Sequence, residues 1–186
     1  MFSEDERKKR IADSARRLIV EKKWKRLTVT DIVRECGITR QTFYYHFDGI
    51  PELIRWMIER EADQFIECVK KEKMPEEKLK QLILICVQVR PLAEKGMQTN
   101  YWMEIKPIFN RCFTRLVEAN MEDFDIKKYC SPREYEFFLR YHCNAIGGIL
   151  KSWTEEDTEH MDEIVHQICS IFRYDILIQK NLFHKE

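Results

Sequence analysis

The chain has 186 residues, 34% charged and 44% hydrophobic, and its 32 basic and 32 acidic side chains cancel to zero net charge. Eleven Phe, seven Tyr and four Trp supply more apolar surface than a disordered chain carries, and the length suits one domain, or a small one joined to a medium one. The longest run without a charged residue, Tyr141 to Leu150, is ten residues against the roughly 20 of a membrane-spanning helix, and the acidic start Ser3-Glu4-Asp5-Glu6 has no apolar signal segment, so a soluble, cytoplasmic protein is expected.

Seven cysteines (36, 68, 86, 112, 130, 143 and 169) form no C-x-x-C and mostly fall in apolar periodic segments, which fits buried reduced thiols better than a disulfide framework. Gly and Pro total ten, about 5% of the chain against roughly 12% in average usage, as long helices with few turns would require. The zero net charge also hides an asymmetry: residues 1–50 carry +4 and residues 51–186 carry −4. A basic front suits a polyanion.

In chain order, Glu4 to Lys22 reads as a helix with Ile11, Ala15, Leu18 and Ile19 on one face and Arg7, Lys8, Lys9, Arg10, Arg16 and Arg17 opposite. Trp24 and Leu27 lead into Thr28 and Asp31, at the spacing of a capping box, which starts a short helix at about Val29 with Ile32, Val33 and Cys36 inward. Gly37 stops it, and Thr39 caps a second short helix, about Arg40 to Phe47. Two short helices joined by Cys36-Gly37-Ile38-Thr39 make a helix-turn-helix, with Ile38 as the buried residue of the turn. Phe43 and Phe47, four apart, would pack on Ile11, Ala15, Ile32 and Val33. The other face would present Arg40, Gln41 and Tyr44, with Thr42, Tyr45 and His46 to the side. Arg pairs with guanine and Gln with adenine in the major groove, while hydroxyls and imidazole suit phosphate oxygens.

Beyond the break Asp48-Gly49-Ile50-Pro51, a helix is expected from Glu52 towards Lys71, with Leu53, Trp56, Met57, Arg60, Gln64 and Ile66 on its apolar face. Sparse punctuation then predicts helices near 76–90, 98–120, 132–153 and 157–180, with Pro91 and Pro107 ending or kinking them. Ser131-Pro132 is a clear helix start. The fold class read from this pattern is all-α, with a helix-turn-helix in residues 1–50.

These residues carry a family resemblance. Ile11-Ala12, Leu27-Thr28-Val29-Thr30-Asp31-Ile32-Val33, Cys36-Gly37-Ile38-Thr39 and Thr42-Phe43-Tyr44-Tyr45-His46-Phe47, closed by Leu53, resemble the DNA-binding domain of the TetR family of bacterial transcriptional regulators over about residues 5–53. The run Phe47 to Trp56 resembles a branch that includes regulators of dihydroxyacetone kinase operons. The resemblance implies that Arg40, Gln41 and Tyr44 face bases and that Thr28, Thr30, Thr42, Tyr45 and His46 hold phosphates; Lys8, Lys9 and Arg10 are candidates for further phosphate contacts. It departs at one position, where the family's usual Lys, three residues after the His-Phe pair, is Ile50. The N–H groups of the helix start there could still attract phosphate.

The same resemblance implies an N-terminal helix-turn-helix DNA-binding domain at 1–50 and a helical regulatory and dimerisation domain at 51–186, a homodimer on a palindromic DNA operator, a repressor, and release by a small-molecule effector. For the dimer interface the candidates are Gly147 and Gly148, small residues that admit a close helix, with Ile164, Ile168, Ile171 and Phe172. For a ligand pocket they are Met97, Tyr101, Trp102, Ile105, Phe109, Phe137, Phe138, Tyr141 and Asn144. His142, His160 and His166 with Cys143 and Cys169 offer no ligand set fixed by spacing, so no metal is expected, and no cofactor. Neither a phosphate-binding Gly loop nor a Ser–His–Asp arrangement is visible, so an enzyme is not expected. The alternative of another class is a helical adaptor acting through a protein partner, with weak or non-specific DNA binding.

Overall fold

A computed structural model describes residues 3–21, 27–98 and 101–183, and every regular element in them is helical. Helix α1 spans Glu4–Glu21, α2 Val29–Cys36, α3 Arg40–His46, α4 Ile50–Val69, α5 Pro75–Met97, α6 Trp102–Met121, α7 Pro132–Lys151, α8 Glu155–Glu159 and α9 Met161–Phe183. Two single 3-10 turns, Glu122–Phe124 and Ile126–Lys128, join α6 to α7. Trp24 and Lys22 lie outside the described residues.

The helix starts follow local chemistry. Thr28 Oγ1 accepts the Asp31 N–H at 3.2 Å, and Thr39 Oγ1 accepts the Thr42 N–H at 3.1 Å. At α7, Ser131 and Glu134 satisfy each other's N–H groups, and Thr154 and Asp157 do the same at α8. Each such cap is worth about 1 kcal/mol. Ser3 and Glu6 form an equivalent reciprocal pair at α1, which the sequence reading did not single out. Gly37 ends α2 at φ 69°, in the left-handed region that costs a side chain-bearing residue about 1–2 kcal/mol, and its N–H donates to Val33 O.

Two expected boundaries move. Pro91 and Pro107 lie inside α5 and α6 instead of ending them, so α5 runs to Met97 rather than 90. A missing N–H costs an interior helix about 3 kcal/mol, but both prolines are exposed, where water can serve the abandoned carbonyl. The segment expected as one helix from 157 divides at His160 into α8 and α9. The indole of buried Trp153, donating to Thr158 Oγ1 at 2.9 Å, holds that corner.

The chain divides into two compact units, residues 1–61 with 89–110, and residues 62–88 with 111–186. Helices α4, α5 and α6 each contribute to both. On α4 the buried residues are Ile50, Leu53, Met57, Ala62, Phe65 and Val69; Gln64, expected on the apolar face, is exposed, and Ile66 and Arg60 are half-buried. The second unit encloses a core that includes Leu82, Val117, Phe138, Ile146, Ile168 and Phe172. All seven cysteines are free thiols; Cys112 and Cys169 are buried, Cys68 is exposed, and the other four lie between. Burial pushes the Cys86 thiol up to about 12 and that of Cys169 to about 11, so both stay protonated.

His142 sits in this second core, 3% exposed, with its ring centroid 4.1 Å from that of Phe138 and 4.5 Å from that of Phe172. Burial pushes its pKa down to about 4 even though Asp175 Oδ2 lies 3.4 Å from Nε2. The folded chain thus refuses a proton that the unfolded chain accepts below about pH 6.5. Stability from this group is complete above pH 6.5 and lost as pH falls towards 4, up to about 3 kcal/mol in all. His142→Phe is expected to flatten the dependence of melting temperature on pH between 6.5 and 4; an unchanged profile would contradict the assignment.

Candidate nucleic-acid interface

The N-terminal unit is built around Phe43, which has no exposed surface. Its core contains Ile11, Ala15, Leu18, Ile32, Val33, Phe47, Ile50 and Leu53, so α1, α2, α3 and the start of α4 share one apolar centre. Phe43 meets Phe47 at 5.9 Å between centroids, and Phe47 meets Trp56 at 6.0 Å. Removing one such phenyl group costs about 3–5 kcal/mol, several times the value of a cap. Packing therefore decides which way α3 faces. Ile38 and Cys36 lie half-buried against the same core.

Ion pairs fasten the outside of this unit. Arg17 Nε donates to Glu35 Oε1 at 3.2 Å, joining α1 to α2. Arg60 grips both carboxylate oxygens of Asp5 at 2.8 Å and lies 5.0 Å from the centre of the Trp56 ring, and Arg16 pairs with Glu61. Sequence reasoning missed these pairs, because no short spacing links their members. Each is a surface contact worth at most about 1 kcal/mol, so they fix orientation rather than stability.

With Phe43 and Phe47 inside, α3 turns Arg40, Gln41, Tyr44 and Tyr45 outward, the last 76% exposed. Thr42 is half-buried, and its hydroxyl lies 2.9 Å from that of Thr39. Thr28 is exposed, and its hydroxyl donates to Asp31 Oδ2 at 2.6 Å. Thr30 accepts from Arg40 Nη2 at 2.6 Å. On α1, Lys9 and Arg10 are exposed, and Lys8 pairs with Glu4 at 3.6 Å while its ammonium lies 5.8 Å from the centre of the Phe47 ring.

His46 departs from its expected phosphate-facing place. It is 5% exposed, and neither ring nitrogen has a hydrogen-bond partner among the described residues. Burial lowers its pKa, with Glu4 opposing and Arg7 and Lys8 adding to the effect, so the ring is neutral at pH 7. The reason is rotational: three residues beyond Phe43 and next to Phe47, position 46 falls on the inner side of α3. The start of α4 also differs from expectation. Ile50 is 3% exposed and part of the core, and the Asp48 N–H donates to Glu52 Oε2 at 2.5 Å. A carboxylate thus occupies the helix end where phosphate attraction was expected.

The nine expected pocket residues are shared between the two units. Met97, Tyr101, Trp102, Ile105 and Phe109 belong to the first unit, where Tyr101 packs on the Phe43 core, Ile105 is buried and Met97 is exposed. Trp102 and Phe109 are half-buried, 6.4 Å apart. Phe137, Phe138, Tyr141 and Asn144 belong to the second unit; Phe138 is core, whereas Phe137, Tyr141 and Asn144 are exposed, the first two at 61% and 57%. All four are on α7, and only one of them points inward.

The expected interface residues divide in the same way. Ile168 and Phe172 are buried within the unit, and Gly147 faces the Phe113 ring, 3.7 Å from where its Cβ would stand. They pack inside one subunit because they share the 3.6-residue period of the inner face of their helices. Gly148 and Ile171 are exposed, and Ile164 is half-buried. His166 Nδ1 lies 3.2 Å from Glu76 Oε1, and among the described residues no three metal-ligating side chains converge. No helix among them is long and apolar enough to cross a membrane.

Comparison with known proteins agrees with this geometry. Residues 11–55 match the family model described as bacterial regulatory proteins, tetR family. No curated protein matches the chain. Among solved structures, the chain is similar to one titled "Dihydroxyacetone kinase operon activator DhaS", at 23% identity and a TM-score of 0.53, over 95% of this chain and 97% of that one. The match to the tetR family model covers the helices built on Phe43, and the likeness to the solved structure is one of all-helical fold over nearly the whole chain.

Proposed function

We propose that this TetR-type regulator binds a roughly palindromic operator as a homodimer, each subunit laying α3 in the major groove of one half-site. One observation carries the reading: a seven-residue helix is sealed by Phe43 on its inner face and offers Arg40, Gln41 and Tyr44 on its outer one. Those three read base edges, and Thr28, Thr42 and Tyr45 with Lys8, Lys9 and Arg10 meet phosphates. Repression by covering a promoter needs nothing beyond occupancy. DhaS is titled an activator, and the sign of control here follows from where the operator lies relative to the promoter.

Two helices of the second unit support the dimer. Beside its buried face, α9 carries Ile164, Gln167, Ile171, Tyr174 and Ile178 at spacings of three and four, and α7 carries Phe137, Tyr141, Asn144 and Gly148 in the same rhythm. Phe137, Tyr141, Ile171, Tyr174 and Ile178 are all exposed. That is the pattern of a helix with partners on two sides, and a four-helix bundle from two copies would cover it. Small-molecule release belongs to the same proposal, provided the effector binds two arrangements of the dimer unequally. Its support is the buried Asn120 Oδ1, which lacks a hydrogen-bond partner among the described residues.

A protein-partner role on the same scaffold is favoured by one observation, the loss of a cation at Ile50 together with the carboxylate of Glu52 at that helix end. Selection of bound duplexes from random DNA at about 150 mM salt separates the two readings. A palindromic motif is expected, with Gln41→Ala relaxing one position per half-site and Tyr45→Phe weakening all duplexes alike. A folded dimer that enriches no motif would move the function to a protein partner. Glu52→Gln is expected to tighten binding to every duplex about threefold, because it removes a negative charge near the phosphates; weaker binding would place Glu52 outside the DNA footprint. Ile171→Glu is expected to give monomers by sedimentation, and a persisting dimer would put the interface elsewhere.

A further inference from the structure

Within the helix-turn-helix, one hydrogen bond joins the start of α2 to the start of α3. Thr30 is the second residue of α2 and Arg40 the first of α3, and Arg40 Nη2 donates to Thr30 Oγ1 at 2.6 Å. The two ends of this bond are held independently. Thr28 and Asp31 exchange hydrogen bonds at the start of α2, and Thr39 caps α3 through the Thr42 N–H. Arg40 is an exposed side chain, and an exposed Arg with nothing to hold it spreads over many rotamers. Thr30 fixes the far end of that chain. Gln41, its neighbour, has no such tether among the described residues.

The chemistry leaves Arg40 free to act. A guanidinium has five N–H donors in one plane, and Thr30 takes one of them. The remaining donors are enough for the paired hydrogen bonds to O6 and N7 of guanine. A hydroxyl suits this task because it accepts from the cation without cancelling its charge, as a carboxylate would. Resting on the proposed DNA reading, we propose that Thr30 is a positioning residue that sets the base preference of Arg40, rather than a phosphate contact in its own right. Direct contact with phosphate would make Thr30 indifferent to sequence. Positioning makes it specific to one base pair.

The test uses the full-length dimer and duplexes carrying each base at every half-site position, with affinities measured across a range of salt. Arg40→Ala first identifies the position that Arg40 reads. Thr30→Val keeps the β-branched shape and removes the hydroxyl; Thr30→Ser keeps the hydroxyl and guards against an effect of shape or folding. Thr30→Val is expected to reduce discrimination at the Arg40 position about fivefold, to leave the Gln41 position and the salt slope unchanged, and to have no further effect in the Arg40→Ala background. Thr30→Ser is expected to restore most of the discrimination. Equal weakening of all duplexes by Thr30→Val, additive with Arg40→Ala, would overturn the proposal in favour of a phosphate contact. So would an Arg40→Ala variant that lowers the salt slope without changing base preference, since Arg40 would then be a phosphate ligand itself. A parent protein with no base preference at any position would overturn the DNA reading, and this inference with it.

Discussion

Helix α3 has seven residues, well below the dozen or so at which an isolated helix holds together in water. It exists because Phe43 and Phe47 are buried against α1, α2 and the start of α4. The same burial settles its orientation, and orientation is the whole of its chemistry. A helix pinned by residues 43 and 47 can only turn Arg40, Gln41 and Tyr44 the other way. The caps at Thr28 and Thr39 and the left-handed turn at Gly37 set where each helix begins and ends, at about 1 kcal/mol apiece. They refine a geometry that the phenyl rings impose. The pair of Asp5 with Arg60 then fixes α1 against α4 from outside, and Glu35 with Arg17 fixes it against α2.

The second unit works by a different economy of faces. Helices α7 and α9 bury one side in their own core, where His142 lies between Phe138 and Phe172, and leave a second apolar rhythm in solvent. Large exposed residues such as Phe137, Tyr174 and Ile178 at helical spacing cost solubility unless something covers them. A symmetric second copy covers like with like, which is why the proposed dimer asks for no further component. The buried imidazole beneath that surface stays neutral at pH 7.

Much of this was legible in the sequence because it is local. Thr28, Thr39, Ser131 and Gly37 announce their roles through neighbours one to three residues away, and the stripe of Ile11, Ala15 and Leu18 follows from helical spacing alone. The burial of His46 also had a local signal: a residue three beyond a buried Phe shares its side of the helix. Ile50 carried a signal as well, since an Ile in place of a Lys belongs in a core. Other features had no local signal. Pro91 and Pro107 could end a helix or be tolerated on an exposed face, and only the packing around them decides. On α9, residues 168 and 172 and residues 171 and 178 form equally apolar rows, and which row turns inward depends on partners distant in the chain. For the aromatic residues, composition shows that rings are present and not where they meet.

The central claim is that α3 reads the major-groove edge of the DNA from a platform held by Phe43. Its most direct test is the affinity of the parent protein and of Arg40→Ala for a selected duplex in which single guanines are replaced by 7-deazaguanine, which removes the N7 acceptor and leaves the phosphates and the base pairing in place. A loss of about tenfold is expected at one guanine per half-site for the parent, and no loss at that guanine for Arg40→Ala. Indifference of the parent to every replacement, at an affinity that only salt can change, would contradict major-groove reading by this helix.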